Sequence, residues 1–424
     1  MTAIASELEH KGAAAKAASR KLATLATAVK DQALLAIADA MVARQDEIIA
    51  ANEADIADAR ADGLGEHLIE RMLLTPARIA GMANDVRSVA ALPDPVGEEF
   101  DVRRLPNGLQ IGRRRVPLGV IGTIYESRPN VTIDIASLCL KSGNAVILRG
   151  GKEAIRSNAM LAGILRDAIA SAGVPAGAIQ FIENTDRALV SEMLRMRGTI
   201  DLMVPRGSAD LIRRVYAEAA MAVVAGGIGV CHTYVDATAK LEMARDIVVN
   251  AKCRRYSICN ALDTLLVDRA VAETHLPPIA RALIEHDVEL RCEPEAAGVL
   301  AAAGVPHQAA AAEDFGMEFL ALVAAVKVVD GLDGALAHIT EYGSGHSEAI
   351  VTEDYSHAQR FLDEVDAAAV FVNASTQFTD GAQFGLGAEV GISTQKMHAR
   401  GPIGLRELTS YKWVIYGEGQ IRPV

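Results

Sequence analysis

The sequence predicts an α/β protein built from two parallel-sheet domains. Its 424 residues are too many for one ordinary hydrophobic core. Short apolar segments alternate with helical stretches between residues 120 and 220, the pattern of a parallel sheet with right-handed crossovers. After Ala225-Gly226-Gly227 that alternation starts again.

The first hundred residues are helical in pattern. Leu34, Ile37, Ala38, Met41 and Ile48 fall on one helical face, and Asn52 to Arg60 continues as a polar, alanine-rich helix until Gly63 and Gly65 break it. Thr75-Pro76 has the form of an N-cap followed by proline at the first helical position. Asn107-Gly108 signals a two-residue hairpin, although its flanks alternate only partly. Strands are then predicted at Val120 to Tyr125, Ala145 to Leu148, Ile179 to Ile182 and Leu202 to Val204, with helices such as Asn158 to Ala172 and Ala209 to Ala220 between them. The second series is Val230 to Val235, Thr264 to Val267, Leu320 to Val329, Ala349 to Val351 and Ala369 to Val372. Gly381 to Gly404 is glycine-rich and loop-like, and Ser410 to Tyr416 is apolar and aromatic enough for a final strand.

Composition narrows the function. A net charge of −12 and the absence of a basic arm argue against a nucleic-acid partner. No apolar run approaches the roughly 18 residues of a membrane span, and the start lacks a basic segment followed by a long apolar stretch, so a cytoplasmic protein is expected. Five cysteines are too few, and odd in number, for a disulfide framework. No Cys-x-x-Cys pair is present, and His232 and His398 are isolated, so no metal site is expected.

Several residues could carry chemistry. Cys259 precedes the strand around Leu265-Leu266-Val267, where a thiol can be both exposed and rigidly held. A free thiol near pKa 8.5 is only slightly ionised at neutral pH, so it needs electropositive help, which Lys252, Arg254 or Arg255 could supply. Cysteines more often serve as small buried hydrophobes; Cys139 reads that way, and Cys253 is the nearest rival for the reactive role. Asn130 follows a predicted strand, where an amide suits an oxyanion hole or simply a turn. Arg149-Gly150-Gly151-Lys152 and Pro205-Arg206-Gly207-Ser208 are two strand-to-helix turns in which glycine admits a ligand and cations can meet phosphate. No Gly-x-Gly-x-x-Gly fingerprint accompanies them.

Longer stretches resemble the γ-glutamyl phosphate reductases, a branch of the aldehyde-dehydrogenase superfamily. They are the text from Tyr125 to Thr132, from Leu140 to Gly151, from Val372 to Thr376 with Phe378 to Gly381, and from Phe384 to Glu389 with Ile392 to Lys396 and His398 to Pro402. The resemblance implies an aldehyde-dehydrogenase fold, with two doubly wound parallel-sheet domains and a β oligomerisation arm. It assigns 1–102 and 117–227 to a dinucleotide-binding domain, 228–398 to a catalytic domain, and 103–116 and 399–424 to the arm. Cys259 matches the family's nucleophile and Asn130 the superfamily's oxyanion donor. Arg149, with Gly150 and Lys152, falls at the adenosine ribose, Gly207-Ser208 at the pyrophosphate, and Glu318 at the nicotinamide ribose. Ser375, Thr376 and Arg400 are candidates to grip the substrate's α-carboxylate or phosphate.

The implied activity is NADPH-dependent reduction of γ-glutamyl phosphate to glutamate 5-semialdehyde by a homo-oligomer, a dimer or a tetramer. A glutamate kinase partner would be a separate chain. Two departures from the wider superfamily bear on this. Hydrolytic aldehyde dehydrogenases carry a glutamate before a Gly-Gly, but here the text is Val223-Val224-Ala225-Gly226-Gly227, which lacks the base that cleaves a thioester with water. The ribose-binding glutamate is replaced by Lys152, and a cation beside Arg149 favours a 2′-phosphate by about 1.5–3 kcal/mol, roughly 10- to 100-fold. Cys253, Tyr256 and Ser257 differ from the commoner family text around the nucleophile. A hydrolytic dehydrogenase and a non-catalytic dinucleotide-binding protein remain the alternatives.

Overall fold

A computed structural model describes residues 7–422, which divide into two compact units. One runs to Ala225 and takes in Gly385–Gly391 and the chain from Ile403; the other comprises Gly226–Phe384 and Ile392–Pro402.

The first unit opens with five helices, Glu7–Leu22, Thr27–Ala43, Gln45–Ala61, Glu66–Met72 and Pro76–Ala91. The apolar face anticipated from Leu34 to Ile48 is fully buried, but it is shared by two helices. Arg44 at φ −106° and ψ 23° leaves the helical region and interrupts the run, a break that apolar spacing does not reveal. Thr75 does cap its helix, its side chain accepting from the Arg78 N–H at 3.2 Å with Pro76 behind it.

Strands β1 (Glu99–Arg104) and β2 (Gln110–Pro117) form an antiparallel hairpin. Inside the Leu105–Leu109 pair the loop is three residues, Pro106 to Gly108, rather than two. Leu105 N–H donates to Leu109 O at 2.8 Å, Pro106 presets the turn, and Gly108 takes the left-handed conformation at φ +87°. A five-stranded parallel sheet follows: β3 (Val120–Tyr125), β4 (Ala145–Gly150), β5 (Ile179–Phe181), β6 (Leu202–Arg206) and β7 (Ala222–Val223), in the order β5-β4-β3-β6-β7. Every residue of β3 and β4 is buried, which is why these strands read as continuous apolar runs rather than alternating ones.

The second unit holds a seven-stranded parallel sheet. Its strands are β8 (Cys231–Val235), β9 (Leu262–Asp268), β10 (Glu289–Cys292), β11 (Gln308–Ala309), β12 (Val323–Val329), β13 (Ser347–Val351) and β14 (Ala369–Val372), ordered β11-β10-β12-β9-β8-β13-β14. Two of these, β10 and β11, escape the apolar-run criterion. Glu289-Leu290-Arg291-Cys292 alternates because only Leu290 and Cys292 face the core, and β11 is exposed. The glycine-rich stretch contains one short antiparallel pair, β15 (Ile392–Ser393) with β16 (Gly401–Pro402). The last strand, β17 (Thr409–Tyr416), pairs antiparallel with β2 in the first unit and leaves Tyr411, Trp413, Ile415 and Tyr416 about half exposed.

Candidate active site

In the first unit the chain winds from β3 outward through β4 to β5, then returns to lay β6 on the other side of β3. At such a reversal the loops after neighbouring strands diverge and leave a crevice at the carboxyl edge of the sheet. The turns after β3, β4 and β6 carry Asn130, Gly150 to Lys152 and Gly207-Ser208 respectively.

Asn130 begins the helix Asn130–Lys141, and its Nδ2 donates to Asp134 Oδ2 at 2.8 Å, one turn further along. Burial pushes the Asp134 carboxyl up to about 7; the Asn130 hydrogen bond and Arg206 act against this, and Asp85 reinforces it. Between β3 and this helix, Ser127 is held at φ +47°, a costly conformation for a residue with a side chain. Glu153 Oε1 fixes it, accepting from the Ser127 N–H at 2.7 Å and hydroxyl at 3.1 Å.

Arg149 lies at the end of β4, almost wholly buried, with Nη2 donating to Thr185 O at 3.1 Å. Its Nε has no partner among the described residues. Burial lowers the Arg149 pKa; Glu153 and Glu126 oppose this, while Arg187 and Arg214 add to it. Arg187 and Arg214 are therefore cationic neighbours of Arg149. Lys152, anticipated beside it, is exposed and lies 3.8 Å from Asp62. Ser208 caps the helix Ala209–Glu218, its hydroxyl accepting from the Leu211 N–H at 3.3 Å. The Ser208 N–H donates to Glu126 Oε2 at 2.9 Å, so the protein's own carboxylate sits where the helix start attracts an anion.

In the second unit Cys259 occupies the bend before β9 and is half-buried. Its neighbour Asn260 is clamped. Asn260 Nδ2 reaches Gln377 O at 3.3 Å and Thr379 O at 3.0 Å, and Asn260 O accepts from Thr376 Oγ1 at 2.7 Å. Gln377 extends the clamp, donating to Ala251 O at 2.8 Å and Arg255 O at 3.0 Å and accepting from Arg254 Nε at 2.8 Å. From the other side Gly229 presses on the Cys259 backbone; a Cβ there would stand 3.0 Å from Cys259 Cα and closer still to its carbonyl. Gly229 N–H donates to Glu318 Oε1 at 3.1 Å. Burial raises the Glu318 pKa and this hydrogen bond lowers it.

Burial pushes the thiols of Cys139, Cys231 and Cys253 above their ordinary range and that of Cys292 up to about 12, so none of these four is prepared as a nucleophile. Two of the three cations expected to assist Cys259 are engaged elsewhere: Lys252 is buried 3.7 Å from Asp263, and Arg254 holds Gln377. Ser375 and Thr376 also turn their hydroxyls inward. Ser375 accepts from the Gln377 N–H, and Thr376 holds Asn260, so what they visibly do is position the loop that carries Cys259. Arg400 Nη2 is 2.7 Å from Asp366, which also pairs with Lys396; Arg400 Nε is buried without a partner among the described residues. His232 is fully buried against Glu348, 2.9 Å from its carboxylate. Among the described residues no group of three or more His, Cys, Asp or Glu side chains could hold a metal ion.

The aldehyde dehydrogenase family model matches residues 2–297. A γ-glutamyl phosphate reductase from Dehalococcoides mccartyi is 56% identical over 417 residues, covering 98% of each chain. One from Escherichia coli is 54% identical over 415 residues, 98% of this chain and all of its own. This chain belongs to the γ-glutamyl phosphate reductase branch of the aldehyde dehydrogenase family. The crystal structure of a γ-glutamyl phosphate reductase from Thermotoga maritima agrees, with a TM-score of 0.96 and 45% identity over 99% of this chain and all of that one.

Membership of the aldehyde dehydrogenase family brings a nicotinamide cofactor with it, and the residues of the first unit fit one. A buried guanidinium with an unpartnered Nε and a serine-capped helix start are suited to phosphate. The reductase branch also gives a context for the residue before Gly226-Gly227, which is the buried, uncharged Ala225. Among the described residues no helix is long and apolar enough to cross a membrane. Sequence patterns missed Glu126, Asp134, Glu153, Gly229 and Gln377. Only Asp134 left a signal, four residues after Asn130 on one helix face.

Proposed function

We propose that this chain reduces γ-glutamyl phosphate to glutamate 5-semialdehyde with NADPH, releasing phosphate, as a step of proline biosynthesis. The substrate rests on the relatives' name at 54–56% identity over nearly the whole chain. The observation that carries the chemistry is a half-buried thiol on a clamped loop, in a chain with no carboxylate before Gly226-Gly227.

The Cys259 thiolate attacks the acyl carbon. Asn130 and a backbone N–H beside Cys259 donate to the oxyanion that forms. The C–O bond to phosphate then breaks, phosphate departs with its electron pair, and a thioester remains on Cys259. When bound, the reduced nicotinamide supplies the hydride that carries this thioester to a thiohemiacetal. Cys259 is released as thiolate when the thiohemiacetal collapses to the aldehyde. Ala225 cannot activate water, so the thioester survives long enough to be reduced or, in reverse, to meet phosphate. The Asn260, Thr376 and Gln377 clamp holds the attacking sulfur's loop in one place, which is what a near-attack geometry requires.

On the cofactor side, Gly207 and Ser208 would receive the pyrophosphate in exchange for the Glu126 carboxylate. Arg149, with Arg187 and Arg214, would meet a 2′-phosphate and favour NADPH over NADH. Residues 117–227 with 1–102 form the dinucleotide-binding domain, 228–398 the catalytic domain, and 103–116 with 399–424 an oligomerisation arm. The exposed aromatic edge of β17 offers a second copy of the chain a strand to pair with.

Mass spectrometry tests the covalent step. Protein incubated with glutamate 5-semialdehyde and NADP⁺ in phosphate-free buffer should accumulate an acyl adduct on the peptide carrying Cys259. Steady NADPH formation with no adduct would point instead to hydrolytic turnover.

A further inference from the structure

We propose that Asp134 is a positioning residue for the reaction: it orients the Asn130 amide so that an N–H, rather than the carbonyl oxygen, faces the developing oxyanion. This rests on the oxyanion role of Asn130 given above. An asparagine amide has two chemically opposite ends of nearly identical shape, and a packed site does not by itself choose between them. A hydrogen-bond partner behind the amide does choose. An ionised carboxylate only accepts, so it takes the NH2 end and excludes the oxygen. Asp134 Oδ2 is that partner, 2.8 Å from Asn130 Nδ2. One of the two N–H bonds is spent on this contact, and the second, directed away from Asp134, is left for the oxyanion.

The arrangement is rigid. Both residues lie in the helix Asn130–Lys141, one turn apart, so their reach is set by helix geometry and not by a loop. The charged groups that act on Asp134 come from two other elements: Asp85 on the helix Pro76–Ala91 and Arg206 at the end of β6. A carboxylate so placed is poorly suited to be an ordinary surface helix residue. It is also not needed to cap the helix, since position 134 lies beyond the first turn.

A double-mutant cycle on the full chain tests this. Turnover is followed as NADPH formation from glutamate 5-semialdehyde, NADP⁺ and phosphate, about a pH unit above the Asp134 value of about 7. Asn130→Ala should lower kcat about 100-fold or more. Asp134→Ala should lower kcat by roughly tenfold and leave KM within about twofold, and that loss should vanish when Asn130 is already alanine, because the two residues act as one unit. Asp134→Asn, which keeps an acceptor oxygen at the same reach, should return kcat to within about threefold of the native chain. An Asp134→Ala loss that is equal in both backgrounds, or one under about threefold, overturns the proposal. If Asp134→Ala does not fold, Asp134→Ser runs the same cycle under the same criteria. A weak Asn130→Ala effect, under about threefold, would instead remove the oxyanion role itself, and the positioning role with it.

Discussion

Gly229→Ala puts the support of Cys259, the proposed nucleophile, under the most direct strain. The added methyl would stand 3.0 Å from Cys259 Cα and 2.5 Å from its carbonyl carbon, where ordinary contact begins at 3.4 Å. Both atoms are backbone, so no side-chain rotation relieves the clash, and one of the two segments must retreat by about an ångström. Cys259 cannot follow freely, because Asn260 is tied on its far side to Gln377, Thr379 and Thr376. Overpacking of this kind costs about 1–3 kcal/mol of stability. Displacing a reacting atom by about an ångström costs on the order of 100-fold in turnover, or ~2.7 kcal/mol of barrier. Steady-state NADPH formation and thermal melting on the same preparation separate the two effects. We expect kcat down about 100-fold, a melting temperature lowered by a few degrees, and KM for NADP⁺ changed by less than about threefold. A Gly229→Ala protein that keeps kcat within about threefold of the native value would refute the view that this glycine sets the position of the nucleophile.

Three further outcomes are expected. In the buried Lys252–Asp263 pair, burial lowers Lys252 and pushes Asp263 up to about 7, where the carboxyl can shed its charge by taking a proton. Asp263→Ala, which strands the ammonium, should therefore cost about 3–5 kcal/mol in urea unfolding, and Lys252→Met clearly less; equal losses would contradict this. Arg149→Ala should raise KM for NADPH by roughly 10- to 100-fold while changing KM for NADH by less than about threefold, and parallel changes in both would remove the 2′-phosphate contact. His338 is held down to about 3, by burial first and then by His232 and Lys327, whereas an unfolded histidine titrates near pH 6.5. The unfolded chain therefore binds the extra proton between those values. The stability this neutral histidine contributes is full above pH 6.5 and is lost as pH falls towards 3. His338→Gln should flatten that part of the stability curve, and an unchanged slope would show that other groups dominate it.

The elements legible in the sequence are those whose environment is uniform. Strands β3 and β4 are buried on both faces and stand out as apolar runs, and the Thr75-Pro76 cap is local chemistry. Strand β10 is hidden because polar residues alternate along it, and Arg291 is satisfied by Glu289 and by Asp314, which is 23 residues away. The helix break at Arg44 depends on backbone angles that no residue type there demands. Cys259 and Asn130 could be picked out by position, but family text was needed to prefer them. What holds them could not be found that way. Ser127 meets Glu153 from 26 residues off, and Asn260 meets Gln377 from 117, distances at which spacing carries no information. Ser375 and Thr376 illustrate the converse. The resemblance made them candidates for substrate contact, and in the folded chain both hydroxyls are directed into the clamp.

An acyl-phosphate reductase that works through Cys259 must run backwards only when phosphate is supplied. Purified protein is given glutamate 5-semialdehyde and NADP⁺, with and without inorganic phosphate, and NADPH absorbance is followed. We expect NADPH to form continuously only when phosphate is present, and not at all in Cys259→Ala. Sustained NADPH formation without phosphate, or activity that survives Cys259→Ala, would rule out a phosphate-dependent reductase acting through this thiol.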